Sequence, residues 1–321
     1  MNRVIHILLL LTVICFKSYC QETDPAPLYQ TVLMNNPAMS GSGESGTIRL
    51  SYLNFYPGNG YNLHSLYLSY DSYFSAIHGG AAFYLTNDYL GGHVNNIRGG
   101  VSYSYFLQAG DNLFINAGLT ASVFHQGFNF KNAILPDQID ATGGAIYPSS
   151  EALASSGRTV FDIGTGFVFK SGQFSGGLAI LHLSEPYLST ESIQKEILKR
   201  ELYMHLCGDF SVGSRKNFYL RPIMFSSIQD DFFIVGAGTS FENERIAISL
   251  ITMNDNIGNL NLQTGFSIGV DFLRFNYSYR FNVISDNALL PLSLLHQAGI
   301  TFSLNNFDKR NRLNTIKFPE L

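Results

Sequence analysis

The sequence predicts an all-β chain, a transmembrane antiparallel β-barrel of about fourteen strands led by an extended N-terminal segment. Three observations carry that reading: apolar–polar alternation sustained for longer than a soluble strand needs, an even number of alternating segments, and a rhythm of short and long connections. Composition agrees with it. Of 321 residues, 45% are apolar and 14% charged, well below the usual quarter, while Gly (30), Phe (26) and Tyr (18) are abundant. That mix suits strands.

The N-terminus reads as an export signal. Arg3 is followed by an apolar stretch from Val4 to Phe16 and by Ser18-Tyr19-Cys20, a small-x-small cleavage pattern, so residues 1–20 are expected to be removed and the mature chain to begin at Gln21. The apolar stretch is too short for a membrane helix, which needs about 20 residues. Cleavage leaves Cys207 as the remaining cysteine, so neither a disulfide nor a cysteine metal site is expected. Loss of Arg3 and Lys17 takes the formal charge from −4 to −6, a balance that argues against a nucleic-acid partner. Residues 21–46, rich in Pro, Asn, Ser and Gly, are expected to run extended, at the barrel mouth or in the lumen. Residues 305–321 carry Lys309, Arg310, Arg312 and Lys317 and read as a periplasmic tail.

The barrel is expected over residues 47–304, because a membrane strand must cross the hydrocarbon with roughly nine to eleven residues of alternating character. In 95–108, Ile97, Val101, Tyr103, Tyr105 and Leu107 share one face, opposite Arg98, Gly100, Ser102 and Ser104. In 259–284, Leu262, Phe266, Ile268, Phe275, Tyr277 and Tyr279 oppose Gln263, Ser267, Asn276, Ser278 and Arg280. The strands are placed at 47–56, 61–71, 77–87, 95–108, 113–128, 158–170, 174–184, 201–213, 217–226, 231–241, 244–253, 259–270, 272–284 and 294–304. Connections after the fourth, sixth, eighth, tenth and twelfth are tight. Those after odd strands run longer, above all 129–157, 185–200 and 285–293, which puts both termini in the periplasm and the long loops outside.

Candidate sites are sparse. Arg98, Asp162, Asp271, Arg274 and Arg280 are expected to face the lumen, since an Arg or Lys on the lipid face costs roughly 2–4 kcal/mol at the midplane. There they either brace a plug or line a pore. His64, His78, His93, His125 and His205 have no supporting Ser or acid in the pattern of a nucleophilic site, so no catalytic residues are assigned. Pro136-Asp137-Gln138-Ile139-Asp140 lacks the ligand count of a calcium loop, so no metal and no cofactor is expected. Gly164-Thr165-Gly166 and Gly236-Ala237-Gly238 have no following helix and read as small residues on a sheet rather than phosphate cradles.

Two short motifs carry a family resemblance. Asn36-Pro37-Ala38 followed by Gly41 is similar to the Asn-Pro-Ala-x-x-Gly signature of the PorP/SprF outer-membrane proteins, and His182-Leu183-Ser184-Glu185-Pro186 is similar to their His-Leu-x-x-Pro segment. Leu220-Arg221-Pro222 and His296-Gln297 are weaker echoes. In the first hairpin, where the family commonly has Trp, this chain has Phe55-Tyr56-Pro57-Gly58. The resemblance implies a non-enzymatic barrel of the bacterial outer membrane, within the type IX secretion and gliding-motility system. Its implied partners are a secreted adhesin or other cargo, type IX components and outer-membrane lipid. A transporter or porin for small solutes stays open as the alternative.

Overall fold

The computed structural model describes residues 31–43, 46–58, 63–129, 138–140, 144–145, 157–188, 196–213, 217–285 and 293–304. The segment expected as an export signal, most of the 129–157 loop and the 305–321 tail lie outside the described residues. The strands are β1 (Gly46–Phe55), β2 (Leu63–Phe74), β3 (Gly79–Leu90), β4 (Val94–Gln108), β5 (Leu113–Phe128), β6 (Arg158–Ser171) and β7 (Phe174–Leu181). Next come β8 (Glu201–Gly208, continued by Phe210–Val212), β9 (Phe218–Gln229), β10 (Phe232–Glu242), β11 (Ile246–Asp255), β12 (Leu260–Val270), β13 (Leu273–Ile284) and β14 (Ser293–Leu304). Each pairs antiparallel with the next. β1 pairs with β14 from Gly46↔Leu304 to Phe55↔Leu295, which closes a fourteen-stranded barrel and removes every sheet edge.

Side-chain period fixes which face is which. Along β4 and β5 the most exposed apolar residues are Val101 at 62% and Leu119 at 64%, while Ser102, Ser104, Asn116 and Thr120 are buried. The arrangement inverts a soluble protein: apolar chains face outward to lipid and small polar chains face the lumen. Not all of the inner face is polar. Tyr203 and Cys207 on β8, Ile223 and Phe225 on β9, and Ile251 and Met253 on β11 form a buried apolar cluster.

The end at which β4 turns into β5 also holds the tight connections 109–112, 172–173, 243–245 and 271–272 and both ends of the barrel sequence, Gly46 and Leu304; it is the short-turn end. The opposite, long-loop end carries 129–157 and 182–200, together with the brief connections 91–93 and 230–231. Four expected boundaries are corrected: the seventh strand stops at Leu181 rather than at 184, where His182 turns the chain, and the ninth runs to Gln229 rather than to 226. The second and third strands run about three residues further than 61–71 and 77–87, because Asp71-Ser72-Tyr73 and Asn87-Asp88, which look like turn chemistry, are paired ladder residues. The turn itself is a 3-10 turn, Ser75–Ile77, ended by His78 in the left-handed region at φ 50°.

Candidate functional site

The most organised part of the lumen is built by the chain preceding β1. In place of an extended run, Val32–Asn35 makes one helical turn (α1) and Pro37–Met39 a 3-10 turn. Asn36 joins the two. Its Oδ1 accepts from Ala38 N at 2.9 Å, capping the second turn, and its Nδ2 donates to Phe167 O of β6 at 3.2 Å. Pro37 sits at the first position of the turn, where no backbone N–H is needed. Ala38 O accepts from Ser104 Oγ at 2.9 Å and Asn116 Nδ2 at 3.4 Å, and Ser40 Oγ bonds Pro37 O at 2.8 Å and Ser102 Oγ at 2.7 Å. Gly41 N donates to Asp71 Oδ2 at 3.0 Å, and Asp71 is itself paired with Arg49.

This plug fits because the wall behind it lacks side chains. A Cβ on Gly80 would lie 1.9 Å from Ser40 O, one on Gly118 2.3 Å from Ala38 N, and one on Gly166 2.1 Å from Asn36 Oδ1. Gly41 has φ 64°, and a Cβ there would stand 2.5 Å from Ser72 O, so both its conformation and its space require glycine. Val32, Leu33, Ala38 and Met39 are buried against Tyr67, Ala82, Tyr84 and Val168. The contacts fall in the half of the barrel nearer the short turns.

A second cluster lies toward the long-loop end. His182, at φ 55°, turns the chain out of β7; its Nδ1 lies 2.6 Å from Asp162 Oδ2, and Ser184 Oγ donates to Asp162 Oδ1 at 2.8 Å. Leu183 N donates to Ile163 O, and Pro186 O accepts from Leu198 N at 3.0 Å. The β7–β8 connection thus closes on itself through the Tyr187↔Ile197 bridge and buries Leu188 and Leu198 against Phe124 and Val160. The Arg98 guanidinium lies 5.2 Å from the Phe124 ring centre. Asp162 accepts from both His182 and Ser184, and the serine hydroxyl donates to the carboxylate rather than to the imidazole. A nucleophile–base contact is therefore not formed there.

The charges expected in the lumen separate by place. Arg98, Asp162 and Arg280 face inward and are buried, Arg280 donating to Gln263 Oε1 at 3.2 Å. Arg274 is half-buried near the short-turn end, bonded to Ser267 Oγ and Glu244 O. Asp271 is a correction: it is exposed in the turn between β12 and β13 at φ 53°, a left-handed position that Asp tolerates. Sequence reasoning missed the pairs Arg49–Asp71 and Arg221 with Asp209 and Glu242, and the glycines beneath the plug. Arg49 stands on the small-residue face of its strand with Thr47 and Ser51, a signal that would have found it, whereas Arg221 shares its inward face with Ile223 and Phe225 and carries no such signal. Among the described residues no group of His, Cys, Asp or Glu converges as a metal site.

Both motifs are thus fixed points of the lumen, and both lie inside the span, residues 21–289, that matches the family model of the type IX secretion system membrane protein PorP/SprF. The chain belongs to the PorP/SprF family. No curated protein matches it. Among solved structures, this PorP/SprF barrel is similar to the Pseudomonas putida toluene transporter TodX, with 10% identity over 86% of this chain and 94% of that one and a TM-score of 0.52. It is similar also to a Pseudomonas aeruginosa FadL homologue, with 11% identity over 85% and 94% and a TM-score of 0.50. These likenesses establish the outer-membrane barrel fold. The PorP/SprF match places it in the type IX secretion system.

Proposed function

We propose that this PorP/SprF protein is a non-enzymatic accessory barrel that assists secretion or surface attachment of a secreted, adhesin-like protein. The observation that supports it is a lumen narrowed by the chain itself: residues 32–42 sit in the short-turn half, and the β7–β8 connection folds Leu188 and Leu198 inward at the long-loop end. Such a barrel offers surfaces to partners more than passage to solutes. Short turns face the periplasm in outer-membrane barrels generally, so the plugged end would meet the export machinery and the loops 129–157 and 185–200 the cargo.

A pull-down of the tagged protein from native outer membranes, read by mass spectrometry, tests this. Recovery of a large secreted adhesin or of type IX components is expected, as is loss of cargo display when 130–156 is deleted from an assembled barrel; a barrel recovered alone overturns the reading. The second reading, a transporter for small solutes, has the fold likeness to a toluene transporter in its favour. Stable, solute-dependent channels formed by the full-length protein in planar bilayers would favour it.

A further inference from the structure

The wall of the barrel is not of one height. β6 runs from Arg158 to Ser171, whereas its ladder with β7 begins at Thr165, paired with Ile180, so Arg158 to Gly164 rise above the zipped part of that seam. Alternate β6 residues turn their backbone groups toward β7. Ile163 O accepts from Leu183 N at 2.9 Å, and Phe161 O accepts from Ser184 Oγ at 3.4 Å. By the same alternation Phe161 N–H and both backbone groups of Thr159 point that way, and among the described residues they meet no partner. Phe161 lies ten residues from the short-turn end of β6 at Ser171. With a rise of about 3.3 Å per residue and a tilt of about 40°, it stands about 25 Å up, at the outer margin of an apolar band about 25 Å tall. Water reaches that margin, so an unzipped seam is tolerated there as it would not be in the hydrocarbon.

The strand that would complete the seam stands beside it. The ladder count sets Ile163 opposite His182, yet it is Leu183 N that bonds Ile163 O, so His182 is an extra residue, a bulge in the left-handed region at φ 55°. Beyond the bulge the count puts Glu185 opposite Phe161 and Tyr187 opposite Thr159. The chain leaves that path at Glu185, which has φ 42° and gives its N–H to His182 O at 3.1 Å rather than to β6. Above the bend the two arms stay paired with each other, Leu198 N to Pro186 O and Leu188 N to Glu196 O, so the hairpin leans as one unit. It leans inward, burying Leu188 and Leu198 against Phe124 and Val160. Pro186 faces β8, so its missing N–H takes nothing from the seam with β6.

We propose that the β7–β8 hairpin is a strap with two seats, pivoting at Glu185 above a hinge that Asp162 holds through His182 and Ser184. In the bent seat, the one described above, its leucines stand in the lumen mouth. In the zipped seat Glu185 passes from the left-handed region to extended backbone, Glu185 and Tyr187 pair with Phe161 and Thr159, and the strap is drawn out of the mouth onto the wall. The balance rests on Glu185, because a residue with a side chain is disfavoured at positive φ, while extended backbone suits it. The inference concerns the outer mouth and stands whether the barrel serves a secreted protein or a solute.

Disulfide trapping in native outer membranes tests it, with Cys207 buried and alone as background. Thr159→Cys with Tyr187→Cys reports the zipped seat, since paired strand residues come within disulfide reach, and Phe124→Cys with Leu198→Cys reports the bent one. Each pair is read in the parent, in Glu185→Gly and in Glu185→Val. Both substitutions lose the 3.4 Å contact between Glu185 and Arg200, so that loss cancels between them. Glycine favours the left-handed bend and a β-branched residue opposes it. Glu185→Gly is therefore expected to slow 159–187 bonding about tenfold, and Glu185→Val to speed it while slowing 124–198 bonding. Heat-modifiable gel mobility selects folded barrels for the comparison. Absence of the 159–187 bond in all three backgrounds, or equal rates in all three, overturns the strap. Linkage of Thr159→Cys alone to a different protein overturns it too, since the open rungs would then belong to a partner's strand.

Discussion

Asn36 does three things with one side chain: it caps the turn that follows it, ties that turn to β6, and fills the space that Gly166 leaves open. Replacing it by alanine removes two hydrogen bonds, each worth about 1 kcal/mol, so Asn36→Ala is expected to release the plug by about 2 kcal/mol. That corresponds to a roughly thirtyfold rise in the open population, read as faster amide exchange across 31–43 with the barrel strands unchanged. Gly118→Leu attacks the same seat from the wall. Its side chain must occupy the position of the Ala38 backbone, so the same amides are expected to lose protection although the Asn36 bonds are chemically intact. Unchanged exchange in both variants would mean that the seat does not hold the plug.

Strands were legible because their evidence is local: a period of two, repeated over ten or more residues, identifies both the element and its lipid face without any knowledge of neighbours. Of the plug only its place at the mouth or in the lumen was expected; its turns were not legible, since Asn36-Pro37-Ala38 and the inward glycines acquire their packing role only when β3, β5 and β6 are brought behind them. Misplacing the end of β2 also hid the Arg49–Asp71 pair. At β8 and β9 a local irregularity has a readable cause. Pro222 has no N–H to give the ladder, the pairing lapses between Cys207↔Ile223 and Phe210↔Leu220, and Asp209 turns its carboxylate to Arg221 at 3.0 Å. Arg221 also bonds Glu242 at 2.6 Å, with both side chains buried. Arg221→Leu removes the cation that bonds both Asp209 and Glu242, and breaking a buried pair costs about 3–5 kcal/mol, so the variant is expected to lose its folded gel mobility at a lower temperature. Adding Glu242→Leu is expected to restore part of the loss, because an apolar replacement of both partners removes the buried carboxylate along with the cation.

A fourteen-stranded barrel is too wide for its own wall residues to fill, so its permeability depends on what the rest of the chain puts inside. Here two inserts act from opposite ends and are held differently. The plug is seated by backbone contact with glycines and by the Gly41–Asp71 bond, whereas the β7–β8 connection is held by Asp162 and by the burial of Leu188 and Leu198. Because the two do not share a contact partner, their effects on conductance should combine rather than mask each other. Deleting residues 31–43 is expected to convert a silent barrel into one with measurable conductance in planar bilayers, and adding Leu188→Asp, which drives the connection out of its apolar seat, is expected to raise that conductance further. If the deletion alone already gives the full conductance, the long-loop insert does not obstruct the lumen, and its burial of Leu188 serves to shape the outer loops. A barrel silent in the double variant would place the obstruction elsewhere, in the apolar inner wall around Tyr203, Phe225 and Met253.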